Sequence, residues 1–145
     1  MKAVIANDHG AVELSRRIKS HLESRNIEVN WLGITTEDSC DYPDQAKKAV
    51  DEFRKGGYDF GVLCCGTGIG ISISANKLDG IRCALPQNCF AAALAREHND
   101  ANFIAFGGRI AYQDKVEDML DAYLDASFQG GRHARRVAKI MDLEK

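Results

Sequence analysis

A mostly parallel α/β sheet with helices on both faces is the architecture expected of this chain, and three features of its sequence say so. Short apolar runs alternate with amphipathic stretches from one end to the other, the pattern of repeated βαβ units. The runs are apolar at successive positions, as in strands covered on both sides. One of them leads directly into a glycine-rich turn, Gly66–Gly70, that opens a helical stretch. Crossovers between such strands are right-handed, and ligands bind outside the strands' carboxyl ends.

The elements follow in order. Lys2–Asn7 (KAVIAN) is a buried strand. Leu14, Ile18 and Leu22 then fall at i, i+4 and i+8 among Arg16, Arg17, Lys19 and Glu23, the stripe of an amphipathic helix. Ile27–Leu32 is a second strand. Ser39–Asp44 is a polar turn whose Pro43 suits the first turn of a helix. That helix is expected to bury Ala46, Ala49, Val50 and Phe53 and to stop at Gly56–Gly57. Phe60–Cys64 is the third strand, and the helix after the glycine turn contains Ile71, Ile73 and Ala75. A fourth strand is expected over Ile81–Leu85 and a fifth over Asn102–Phe106. Helices carry Phe90, Ala93 and Leu94 and then Val116, Met119, Leu120, Tyr123 and Leu124; a final helix begins near Gly131–Arg132.

Size and composition narrow the function. At 145 residues the chain is one domain, residues 1–145, and buries enough surface to need no metal or disulfide staple. With 45% hydrophobic and 28% charged residues, it is neither disordered nor fibrous. Nineteen basic against 21 acidic residues give no field that would draw it to nucleic acid. The first apolar run, Ala3–Ala6, is too short for a signal peptide or a membrane span. Five cysteines without a CxxC argue against a disulfide framework or a zinc ribbon and for the reducing cytoplasm.

The chemistry collects at the strand ends. In Cys65-Gly66-Thr67-Gly68-Ile69-Gly70, alternating glycines let a ligand approach the backbone and present several N–H groups near a helix start. The turn lacks the Gly-Lys-Ser/Thr of a Walker loop, and Ile71 stands where a dinucleotide fingerprint needs glycine. The alternative, a merely tight strand-to-helix turn, is the weaker reading of the glycines. A cysteine at a helix start can serve as nucleophile or base, and it can also be a small core residue. Cys65 is open to both readings, whereas Cys64 reads as core, and Cys40, Cys83 and Cys89 as packing or surface thiols.

Asp8–His9 falls where the first strand ends, either facing a ligand or capping the next helix. His98–Asn99 closes the helix before the fifth strand, where a histidine can also be purely structural. In the tail, Arg132 and Arg136 share a helix face at i and i+4 and can grip one phosphate, with Arg109 as a third cation. The alternative is a solvated basic face.

Asp8–His9, DYP at Asp41–Pro43, CGTGIGISISANK at Cys65–Lys77, REHNDAN at Arg96–Asn102, FGGR at Phe106–Arg109 and GGRHxxR at Gly130–Arg136 together resemble the type B ribose-5-phosphate isomerases. These belong to a wider group that includes galactose-6-phosphate isomerase subunits. The likeness runs over nearly the whole chain. It implies a Rossmann-like three-layer α/β/α sandwich with a five-stranded parallel sheet and no metal or cofactor. It also implies a homodimer, in some members paired into tetramers, whose sites are shared between subunits. The C-terminal helix, about 131–142, would contact the partner.

By that resemblance Cys65 is the base that moves a proton between C1 and C2 of a phosphorylated sugar. Some members use a glutamate later in the loop, where this chain has Ser74 and Ala75. The amides of Gly66, Gly68, Ile69 and Gly70, with Thr67, would hold the enediolate oxygen. His98 from the other subunit would open the furanose with Asp8, and Asn99 would hold hydroxyls. His9, Arg109, Arg132 and Arg136 would bind phosphate, and Tyr42 would line the pocket. The family's usual AGxELK is Gly10–Ser15 here, with Ser15 in place of lysine, expected to alter the first helix's surface or the assembly and not the chemistry. Two other classes compete: a phosphosugar-binding subunit needing a different partner chain, and a thiol oxidoreductase built on Cys64–Cys65. Adjacent strand residues point to opposite faces, which serves a dithiol poorly.

Overall fold

A computed structural model of the chain describes residues 1–144. Five strands form one parallel sheet: β1 (Lys2–Asn7), β2 (Glu28–Trp31), β3 (Phe60–Cys65), β4 (Cys83–Ala84) and β5 (Phe103–Gly107), in the order β2-β1-β3-β5-β4. Helices α1 (Val12–Ser24), α4 (Cys89–Glu97) and α5 (Val116–Asp125) cover one face, and α2 (Tyr42–Phe53) and α3 (Ile69–Asn76) the other. The α6 helix (Arg132–Met141) ends the fold. This is the expected Rossmann-like α/β/α sandwich.

The pleat divides the apolar runs between the two cores. Ala3, Ile5, Val62, Ile104 and Phe106 face α1, α4 and α5, while Val4, Ala6, Leu63, Phe103 and Ala105 face α2 and α3. Fully burying a Val, Leu, Ile or Phe is worth about 1.5–3 kcal/mol, so a register slip of one residue would put both layers on the wrong side. Gly61 belongs to this packing: a Cβ there would overlap the Phe103 ring. Outside the core, Arg17 grips Glu117 with two guanidinium nitrogens, and His21 and Arg25 meet at Asp121, tying α1 to α5.

Chain direction reverses its lateral progress between β1 and β3, since β2 lies to one side of this pair and β5 to the other. That is the switch point where an open α/β sheet leaves a crevice. Asp8 ends β1 and the glycine turn ends β3, so both border it.

Three expectations are corrected. Ser15 is not on the surface of α1: it is fully buried, and its Oγ accepts the Trp31 Nε1–H at 2.8 Å. A lysine in that place would lose its solvation, and a serine gives the indole a partner. The fourth strand is only two residues long, because Ile81 turns into the α2–α3 core. Phe53 is half-buried and lies edge-on to Phe103 at the margin of that core.

Candidate active site

Cys65 and Cys64 leave β3 on opposite sides. Cys64 is fully buried in the α1–α4–α5 core, and burial, with Cys65 and Asp8 nearby, pushes its thiol well above the usual range. Cys65 faces the other layer, is 4% exposed, and its Sγ accepts the Gly68 N–H at 3.1 Å. The donor is placed to support negative charge on the sulfur. Gly68 can aim it because φ is +78°, a left-handed conformation that a Cβ would strain. Thr67 Oγ1 accepts the Ile69 N–H at 3.2 Å, which leaves the hydroxyl proton free to donate elsewhere.

The loop is fastened from below and from both sides. Gly108 N–H donates to the Cys65 carbonyl at 2.8 Å and Arg109 N–H to that of Gly66 at 2.9 Å, continuing the β3–β5 ladder past its strands. The Arg109 guanidinium lies over Gly66, the Tyr42 ring lies against Gly70, and Gly10 packs on the Gly66 backbone. Asp8 is buried; its Oδ1 accepts the Gly10 N–H at 2.8 Å and its own N–H reaches the Cys64 carbonyl. His9 Nδ1 accepts the Cys40 N–H at 3.2 Å, which puts the ring proton on Nε2. One chain therefore brings together Asp8, His9, Tyr42, Cys65–Gly70 and Arg109.

A second cluster forms where α4 ends. His98 caps α4 with its N–H on the Leu94 carbonyl at 2.8 Å, and its ring stacks on that of His133, centroids 4.1 Å apart and planes 8° from parallel. His133 is the buried residue of α6, while Arg132 and Arg136 stand exposed on the same helix. Burial lowers the pKa of His133, and the neighbouring His98, Arg132 and Arg136 lower it further. His98 and Asn99 border a shallow groove with Leu85, Pro86, Phe90 and Leu94. Among the described residues, no hydrogen bond, ion pair or ring contact links this cluster to the first within one chain.

Residues 3–140 match the profile of the Ribose/Galactose Isomerase family. The chain belongs to that family. Ribose-5-phosphate isomerase B of Escherichia coli is 39% identical over 99% of this chain and 97% of its own. Among solved structures, the Clostridium thermocellum ribose-5-phosphate isomerase B superposes with a TM-score of 0.95 at 46% identity, covering 99% and 97% of the two chains. The Mycoplasma genitalium enzyme, solved with bound ribulose-5-phosphate, gives 0.92 at 36% identity over 99% and 95%.

Cys65, Asp8, His9, Thr67, Tyr42 and Arg109 lie around the ends of β1 and β3; among the described residues no hydrogen bond, ion pair or ring contact joins His98, Asn99, Arg132 or Arg136 to them. Two of the loop amides, those of Gly68 and Ile69, are directed at the loop's own side chains. Sequence reasoning passed over His133, although it stands between the two arginines of GGRHxxR. Its helical position offered no sign that it turns inward.

Proposed function

We propose that this chain, an aldose–ketose sugar-phosphate isomerase, interconverts ribose 5-phosphate and ribulose 5-phosphate in pentose phosphate metabolism, with Cys65 as base. The observation that carries the reading is the Gly68 amide directed at the Cys65 sulfur, beneath a loop bordered by Asp8, His9, Tyr42 and Arg109. The ribulose-5-phosphate held by the Mycoplasma genitalium relative supports the choice of a pentose.

In the proposed reaction, His98 and Asp8 open the furanose. The anomeric hydroxyl gives up its proton, the C1–O4 bond breaks, and O4 is protonated. The Cys65 thiolate then takes the C2 proton. The C–H electron pair forms C1=C2, and O1 becomes negative. The Thr67 hydroxyl and the amides of Gly66, Thr67 and Gly70 stabilise that oxygen, a preorganised site of the kind that lowers such barriers most. Cys65 returns the proton to C1 as the O2 proton passes to O1, leaving the C2 carbonyl. His9 Nε2–H, Arg109, Arg132 and Arg136 hold the phosphate, and Asn99 a hydroxyl, so remote binding fixes the geometry at the reacting carbons.

The second cluster enters from another copy of the chain. Ile69, Ile73 and Phe90 are 52, 56 and 73% exposed, and they lie on the helices that carry the two halves of the site. Ile69 and Ile73, one turn apart on α3, form an exposed apolar pair of the kind found at contact surfaces. A homodimer covers them and completes two sites, with α6 reaching the partner. Five free thiols suit the cytoplasm.

Proton NMR of the purified protein with ribose 5-phosphate tests the reading, with Cys65→Ala as control. Ribulose 5-phosphate forming with wild type alone is the expected result. A folded wild type that turns over only a tetrose or hexose phosphate favours the second reading, an isomerase of another aldose phosphate, to which the family's galactose branch lends weight. Sedimentation of a monomer would remove the shared site.

A further inference from the structure

The His98–His133 stack has no part in the steps above, yet it has the geometry of a support. The rings are nearly parallel at 4.1 Å. His133 is 6% exposed on a helix whose neighbouring positions, Arg132, Ala134, Arg135 and Arg136, all face water. Its N–H donates to the Gly130 carbonyl at 3.0 Å, across a Gly130–Gly131 pair with φ of +66° and +55° that sets the entry of α6. Among the described residues the His98 ring makes no hydrogen bond, and stacking gives its plane a direction.

We propose that His133 is a positioning residue: stacked on His98, it holds that ring in the plane that furanose opening requires and ties it to the helix carrying Arg132 and Arg136. This rests on the role given to His98 above. Two imidazolium rings at this separation would repel, so the support works only if its own ring stays neutral. Burial and the cations around His133 favour that form. A flat neutral face can then carry His98 through both of its protonation states.

Substrate chemistry separates positioning from simple structural support. Ribose 5-phosphate arrives as a furanose, whereas ribulose 5-phosphate has its O5 esterified and is acyclic. In His133→Ala, kcat with ribose 5-phosphate should fall by about tenfold or more, with KM little changed, since misplacing an acid–base group costs rate. With ribulose 5-phosphate in D2O, exchange of its C1 proton with solvent, which needs the enediolate but no ring step, should stay within about twofold of wild type. His133→Phe, which keeps a flat ring, should recover most of the ribose 5-phosphate rate. Equal losses of ribose 5-phosphate turnover and of C1 exchange, or no recovery in a folded phenylalanine variant, overturn the proposal.

A second readout needs no turnover. The His98 ring protons, shielded by the ring above them, should move downfield in His133→Ala and stay shielded in His133→Phe. Unmoved resonances overturn the stack. A wild type inactive on both pentose phosphates would instead sink the isomerase reading, and the NMR series would still decide whether His133 orders His98.

Discussion

Replacing Gly68 by alanine should damage the fold by two separable routes. The first is conformational: at φ +78° a Cβ costs about 1–2 kcal/mol. The second is steric. The new methyl would stand 2.7 Å from Leu85 Cδ1, which can move, and 2.9 Å from the Phe106 carbonyl carbon, which is sheet backbone and cannot. Overpacking of this kind costs about 1–3 kcal/mol, for a combined loss of about 2–5 kcal/mol. Gly57 is the control: its φ is +87° and nothing lies within 4 Å of the added Cβ, so Gly57→Ala should show the conformational cost alone. Urea denaturation followed through Trp31, the one tryptophan, measures both. The midpoints should differ by on the order of 1 M, given typical urea slopes. Equal losses in the two variants would refute the argument, because the backbone beneath the loop would then have to yield.

Four other outcomes are expected. Ser15→Ala should cost about 1–2 kcal/mol by leaving the Trp31 N–H without its acceptor, seen as a lower urea midpoint; Ser15→Lys should cost more, from a buried charge. Cys64→Ala should lose about 1–2 kcal/mol of stability and retain turnover, in contrast to Cys65→Ala. Arg136→Ala should raise KM for ribose 5-phosphate by about tenfold or more, as for loss of a charge-assisted contact, with an unchanged melting temperature. Finally, the folded His133 pKa lies below its unfolded value, so the unfolded chain takes up this proton first as acid is added. The stability that His133 contributes is present above about pH 6.5 and is lost as pH falls towards the folded value. Denaturation midpoints between pH 7 and pH 5 should therefore fall more steeply for wild type than for His133→Phe, and parallel curves would count against the shift.

Much of this was legible in the residues. The run Lys2–Asn7 matches β1 residue for residue, because burial on both faces extends without a break from Ala3 to Asn7. That Asp8 and the glycine turn fall at the carboxyl ends of β1 and β3 followed from the alternation of elements and needed no strand order. That order was not legible: nothing local says that β5 inserts between β3 and β4. Edge strand β4 was overestimated because the hydrophobicity of Ile81 serves a helix-side core and not the sheet. Ser15 and His133 were misjudged or passed over for a shared reason. Each is a polar residue at a helical position whose inward direction depends on a long-range partner, Trp31 or His98. Nor does a sequence say that Cys65 and His98 fall in separate clusters of the folded chain.

The ladder that runs past β3 and β5 sets how the glycine loop can come apart. Gly108 and Arg109 lie beyond β5, yet their amides are held by the carbonyls of Cys65 and Gly66. In native-state hydrogen exchange such amides should behave as part of the central strands and not as loop amides. The Cys65 turn then shares the sheet's cooperative unit and has no low-energy opening of its own. Heating should therefore remove activity and tertiary structure in one transition, and a nicked or partly unfolded species that keeps its sheet should keep Cys65 in place as well.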